Sequence, residues 1–356
     1  MKNYKKWLSG AGIVIAAGLV LTATGYAMGG RAGFYLNASG FHAVGAKQGS
    51  DEVKVLEKTR LDEFTGVDLS VSYADVEILP ADGYYLEYRL QKDKTDPEYQ
   101  VNDKTLIFRQ KTEKMDVMWN FDVSFFQFLS EEDTDGYYVK LYVPEDALLD
   151  SVKLVCDSGN VTSKTISIQN LDADLNYGNL TLGDMEGDSL KAELDSGDFT
   201  FGNVTAVQSE LTLSYGNVKG EALKTDILDA ELDSGDFSVK QVSGKDLKMQ
   251  CDYGNVNIEK ISGEKQKFCL DSGDISIGEA DVTVLNAESS YGNITIGLGE
   301  KAEDYSYDLK VDYGKIQMPD SLGAFEDIEE KYHTSTESGK LIQAYCDSGD
   351  ITIQGK

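Results

Sequence analysis

Three carboxylate pairs, Asp195/Asp198, Asp233/Asp236 and Asp271/Asp274, recur every 38 residues, each bracketing a Ser-Gly. Oxygen ladders of this kind suit Ca²⁺, a hard cation that takes oxygen ligands. The nonapeptide calcium-binding repeat is absent, however, and Asn or Ser replaces the acids at alternate positions. Turn formation by Asx side chains accounts for the same residues without a metal. We therefore expect no metal and no cofactor. Catalytic chemistry has equally little support. His42 and His333 stand alone, and no nucleophile motif, zinc-ligand spacing or phosphate loop is present. With 62 acidic residues in 356, a pair at glycosidase spacing carries almost no information. The reading is a non-enzyme, the alternative being a carbohydrate-active β-helix enzyme acting on envelope polysaccharide.

Formal charge is −29, and no acidic residue occurs among the first thirty. Such a chain repels nucleic acid, whose binding requires Lys and Arg to displace counterions. Acid-rich walls also keep sheet edges soluble and apart. Four prolines, 35 glycines and 20 tyrosines, with 41% hydrophobic residues, describe a β-rich, turn-rich chain that can bury a core.

The elements that position these residues are set by a repeat. DSGN, NYGN, DSGD, SYGN, DSGD, DYGN, DSGD and SYGN place Gly159, Gly178, Gly197, Gly216, Gly235, Gly254, Gly273 and Gly292 at a constant spacing of 19. Two irregular copies follow, with Gly314 and Gly349. Apolar residues fill the columns five and three before each glycine and two and seven after it, with polar residues between. That alternation is a strand signature. A fixed period of this length marks a solenoid, whose coils bury their apolar faces only by stacking. The fold class is all-β: a single-stranded β-helix-like solenoid of 19-residue coils, each holding two or three short strands. A meander of hairpins turning at the glycines is the alternative. The residue before the glycine alternates Ser and Tyr, so packing repeats every 38 residues; each ring is expected to spread over the Ser of adjacent coils. Cys156, Cys251 and Cys346 occupy a column that is Leu elsewhere, and Cys269 is one residue out of register with Cys251. Cys156 and Cys251, five coils or about 24 Å apart, are too distant for a disulfide. Buried free thiols are expected.

Residues 61–356 form the solenoid domain: a first coil at 67–79, a β-rich insertion or cap at 80–150, regular coils at 151–300 and irregular coils at 301–356. Residues 31–60 read as a linker. Leu8 to Gly30 carries no charge and follows Lys2, Lys5 and Lys6. It is long enough to cross a bilayer as one transmembrane helix with a cytoplasmic N-terminus, placing the solenoid outside the cytoplasm; a cleavable signal segment is the rival reading. Trp119, Phe121, Phe125, Phe126 and Phe128 crowd one insertion loop. They form either the cap's own core or a partner-contact patch.

The anchor ending "GYAMGG", the "LYVPEDALLDSVKLVCDSGNV" stretch and the serial SGD and YGN coils resemble a bacterial adhesin-like β-strand-repeat family of unknown function, over roughly residues 60 to 356. The resemblance implies a single-pass envelope protein with an extracytoplasmic β-solenoid, a scaffold or binding module. Its partners would be the bilayer, through the N-terminal helix, and an envelope protein or polysaccharide. It supplies no catalytic residues.

Overall fold

The computed structural model describes residues 53–91, 97–110, 136–323 and 328–355, and the backbone of two short antiparallel strands, Phe34–Asn37 and Gly40–Ala43. The expected transmembrane segment and the five-residue aromatic patch lie outside the described residues. Among the described residues no helix is long and apolar enough to cross a membrane. Val55–Leu90, Asp96–Lys111 and Gly136–Lys356 form one compact unit, and the account below concerns it.

Successive coils pair in parallel with residue i beside i+19. Leu194 lies beside Leu213, and Leu213 beside Leu232. All three are buried. The parallel register excludes the hairpin meander. From Phe199 to Tyr291 each coil is one strand of 17 residues, such as Phe199–Tyr215 and Val218–Ser234, interrupted only at the Gly corner. The two or three short strands read from the sequence hold for earlier coils, such as Ser151–Ser158, Val161–Ser163 and Ser167–Ile168, and for C-terminal ones, such as Lys340–Ser348 and Ile351–Gln354.

The core holds more columns than the four visible as apolar runs. The position seven before the glycine is buried throughout the regular coils, at Val152, Leu171, Leu190, Leu228, Leu247 and Leu285. Ser209 and Gln266 interrupt it and mask it in the sequence. The position four after the glycine is also buried, and there Gly220 supplies the space that the Phe201 ring of the preceding coil fills. Such large–small complementarity keeps a ladder of unlike residues close-packed.

Both ends depart from chain order. Thr105–Arg109 and Tyr138–Pro144, from the insertion, lie parallel to Gly66–Ser70 and Asp75–Ala81, adding strands outside the first coil. Glu98–Asn102 and Tyr85–Gln91 then pair antiparallel with those strands. Val53–Arg60, inside the expected linker, is itself a strand pairing with Tyr85–Gln91. Gln110 covers the corner these strands leave open: its Oε1 accepts the N–H of Ser72 at 3.0 Å. At the other end, Lys340–Ser348 and Ile351–Gln354 insert between the Gly292 coil and the Gly314 coil. Lys331–Thr334 closes this edge antiparallel to Tyr305–Tyr313. Turning the final strand pairs antiparallel leaves, among the described residues, no full coil face for another chain to extend.

Candidate functional site: the corner edge

Each Gly corner is fixed twice over. Gly235 has φ +142°, a region L-residues rarely adopt, and its hypothetical Cβ would lie 1.8 Å from the Gly216 carbonyl oxygen. The glycines therefore let successive coils approach at ordinary strand spacing through a sharp bend.

The next residue locks the stack. Asp75 Oδ1 accepts the Asn160 N–H at 2.7 Å, and Asn160 Oδ1 accepts the Asn179 N–H at 3.0 Å. The chain of bonds continues through Asp198, Asn217, Asp236, Asn255, Asp274, Asn293 and Asp350 to the Lys315 N–H. Between Asn179 and Asp350 Asn and Asp alternate, so no two carboxylates in this file are stacked. Asn217 and Asn255 add Nδ2 donors to the aspartates before them. The Asn217 N–H holds the Asp198 carboxyl below its ordinary range, outweighing partial burial. The Asx side chains thus act between coils, where sequence reasoning expects a local turn. Their Oδ1 atoms are engaged by backbone, and no group of three or more His, Cys, Asp or Glu able to hold a metal occurs among the described residues.

Immediately before the glycines, and before Ala74 in the first coil, stand Tyr73, Ser158, Tyr177, Ser196, Tyr215, Ser234, Tyr253, Ser272, Tyr291, Ser348 and Tyr313, in stacking order. Tyr and Ser pair as the sequence suggests, and the rings stay largely in solvent. The six tyrosines are 48–79% exposed, and every exposed tyrosine among the described residues belongs to this file. Rings two coils apart stand about 9.6 Å from each other, with Asp195, Asp233 and Asp271 exposed in the Ser coils between them.

The thiols behave as small hydrophobes. Cys156, Cys251 and Cys346 are free and buried, and Cys269 is free and half-buried. Cys346 Sγ donates to the Gly292 carbonyl at 3.0 Å, as Ser289 Oγ does to Gly273. Burial pushes the Cys156 and Cys251 thiols up to about 11, away from reactivity.

A separate shallow trough of about 500 Å³ runs over the coils from Thr200 to Gly278, floored by Phe201, Val239 and Ile258. Among its lining charges Lys240 pairs with Glu221 at 2.6 Å, and Lys219 lies 3.7 Å from Asp198. In the N-terminal strands Glu87 accepts the hydroxyls of Tyr138 and Tyr142 at 2.9 and 2.8 Å.

The in-register coils with their glycine corners carry the family assignment, because the sequence matches Toastrack DUF4097 over residues 64–240 and again over 186–354. The chain belongs to the Toastrack DUF4097 family. Solved structures of similar fold include a "putative lipid binding protein" of Parabacteroides distasonis (15% identity, TM-score 0.38, covering 86% of this chain and 97% of that one). A "putative adhesin" of the same organism gives 11% identity and TM-score 0.38, covering 85% and 98%. A "putative adhesin" of Bacteroides fragilis gives 14% and 0.34, covering 86% and 97%. No curated protein matches this Toastrack chain.

Proposed function

We propose that this Toastrack protein is an extracytoplasmic, membrane-anchored scaffold of the bacterial envelope that presents a side edge to a partner and catalyses no reaction. The file of exposed tyrosines carries this reading. An aromatic ring left in water gains the fold little, whereas repeated rings on a rigid ladder suit contact with another molecule. The uncharged span from Leu8 to Gly30, preceded by lysines, supports anchoring with the solenoid outside. The word "adhesin" attached to similar structures accords with a binding role. The Lys240–Glu221 pair in the trough favours a solvated wall over converging catalytic carboxylates. Membrane fractionation and protease treatment of intact protoplasts test the reading. The full chain should resist salt extraction, dissolve in detergent and lose its C-terminal epitope to external protease. Recovery as a salt-soluble, protease-protected protein would contradict it.

A further inference from the structure

We propose that the tyrosine file is a linear binding platform for an uncharged β-1,4-linked N-acetylhexosamine chain; this rests on the binding reading above and names its ligand class. The argument starts from what the rings do not do. Tyr177, Tyr215, Tyr253 and Tyr291 are each about two-thirds exposed, so packing over Ser is a weak reason for retaining them. Their order nevertheless survives the rearrangement at the C-terminal end. The Ser348 coil inserts between Tyr291 and Tyr313, and one ring on every second coil is preserved along the whole edge.

The spacing selects the ligand. Rings about 9.6 Å apart match the disaccharide repeat of an extended β-1,4-linked chain, in which alternate sugars are flipped and every second one presents the same face. A Tyr ring offers a flat surface for the C–H face of such a sugar. Exposed Asp195, Asp233 and Asp271, two residues before each intervening glycine, offer carboxylate acceptors between the rings. Beside these carboxylates the file carries Tyr and Ser hydroxyls, which donate as well as accept. A sugar bringing its own amide N–H and hydroxyl donors complements the carboxylates, hence the N-acetylhexosamine. The net charge of −29 excludes a polyanion. Apolar platforms with a few placed polar groups are the usual composition of a small-ligand site; here that composition is repeated along a line.

Calorimetry with the detergent-solubilised full chain tests this, using the β-1,4-linked N-acetylglucosamine hexamer as probe and the α-1,4-linked glucose hexamer as control. The β-linked hexamer should bind and the control should not. The triple variant Tyr215→Ser/Tyr253→Ser/Tyr291→Ser should lose at least about tenfold in affinity, each 1.4 kcal/mol being a factor of ten. Its unfolding temperature should stay unchanged, since Ser already occupies this position in alternate coils. Tyr215→Phe should retain binding. No heat with the β-linked hexamer, equal binding of the α-linked control, or full affinity in the triple variant would each overturn the proposal. Fractionation and protease results fail or hold independently, so loss of the glycan ligand is distinguishable from loss of the scaffold reading.

Discussion

The central coils and the C-terminal end are built from the same corner, yet they order their strands differently. From Gly197 to Gly292 the chain stacks each coil on the one just made. After Gly292 the Gly314 coil moves outward and the later Gly349 coil takes the place beside Gly292. Chain-order stacking would have set Tyr291 against Tyr313 and Asn293 against Lys315. The exchanged order sets Tyr291 against Ser348, and lets Asn293 Oδ1 accept the Asp350 N–H and Asp350 Oδ1 the Lys315 N–H. The comparison teaches that the two-coil alternation at the corner is kept across the exchange, even against sequence proximity.

The largest expected effect separates the two regions by position in the stack. Gly235→Ala puts a methyl into the Gly216 carbonyl at positive φ, and should cost about 3 kcal/mol or more, seen as loss of the cooperative unfolding transition. Gly314→Ala makes the same clash with Gly349. Because only strand edges lie beyond it, the loss should be confined to local opening, read by hydrogen exchange. Equal global destabilisation by the two would break the distinction.

Removing a rung sharpens it further. Asn217→Ala leaves the Asp236 N–H without its side-chain acceptor and should cost about 1–2 kcal/mol in denaturant unfolding. Asn293→Ala should speed exchange of the Asp350 amide and leave the Lys315 amide unchanged, the reverse of what chain-order stacking requires.

Asn255→Asp should place three carboxylates in succession with Asp236 and Asp274. The expected loss is about 1 kcal/mol at pH 7 and low salt, reduced at high salt as like-charge repulsion is screened. No salt dependence would show that the Asn/Asp alternation is not electrostatic.

The smallest effect is with pH. The Asp198 carboxyl is held low when folded, so its stabilisation is complete above the ordinary carboxylate value of about 3.9 and is lost as pH falls through the lower folded value. Its exposure limits this to no more than about 1 kcal/mol. Asp174 acts in the opposite direction, because burial and then Glu193, Asp172, Asp195 and Asp157 push it up, and protonation relieves that penalty. Asp198→Asn keeps the Oδ1 acceptor for Asn217 and should lose less stability between pH 7 and pH 3 than the parent.

The solenoid was legible because glycines, apolar columns and the Ser/Tyr alternation all share one period. Hidden columns were not, since Ser209, Gln266 and Gly220 stand where the apolar pattern would need Leu or Val; only neighbours such as Phe201 reveal why these are tolerated. The strand exchange carried a signal in the sequence, because Tyr313 follows Tyr291 without an intervening Ser and Ser348 comes later. The corner tyrosines were visible as a pattern, but alternation cannot say whether a ring lies over its neighbour or stands in water. The Asx residues likewise name a hydrogen-bonding role without saying that the partner is nineteen residues away. Gln110 gave no signal, since a corner cap far off in sequence has no period to follow.

Cysteine crosslinking at the exchange tests the central claim most directly. Adjacent parallel strands stand about 4.8 Å apart, within the Cα range a disulfide spans, whereas strands two coils apart stand beyond it. The Tyr291→Cys/Ser348→Cys variant should form an intramolecular disulfide on mild oxidation, and Tyr291→Cys/Tyr313→Cys should not. A disulfide in the second variant and none in the first would contradict the stacking order, and with it the continuity of the corner alternation across the exchange.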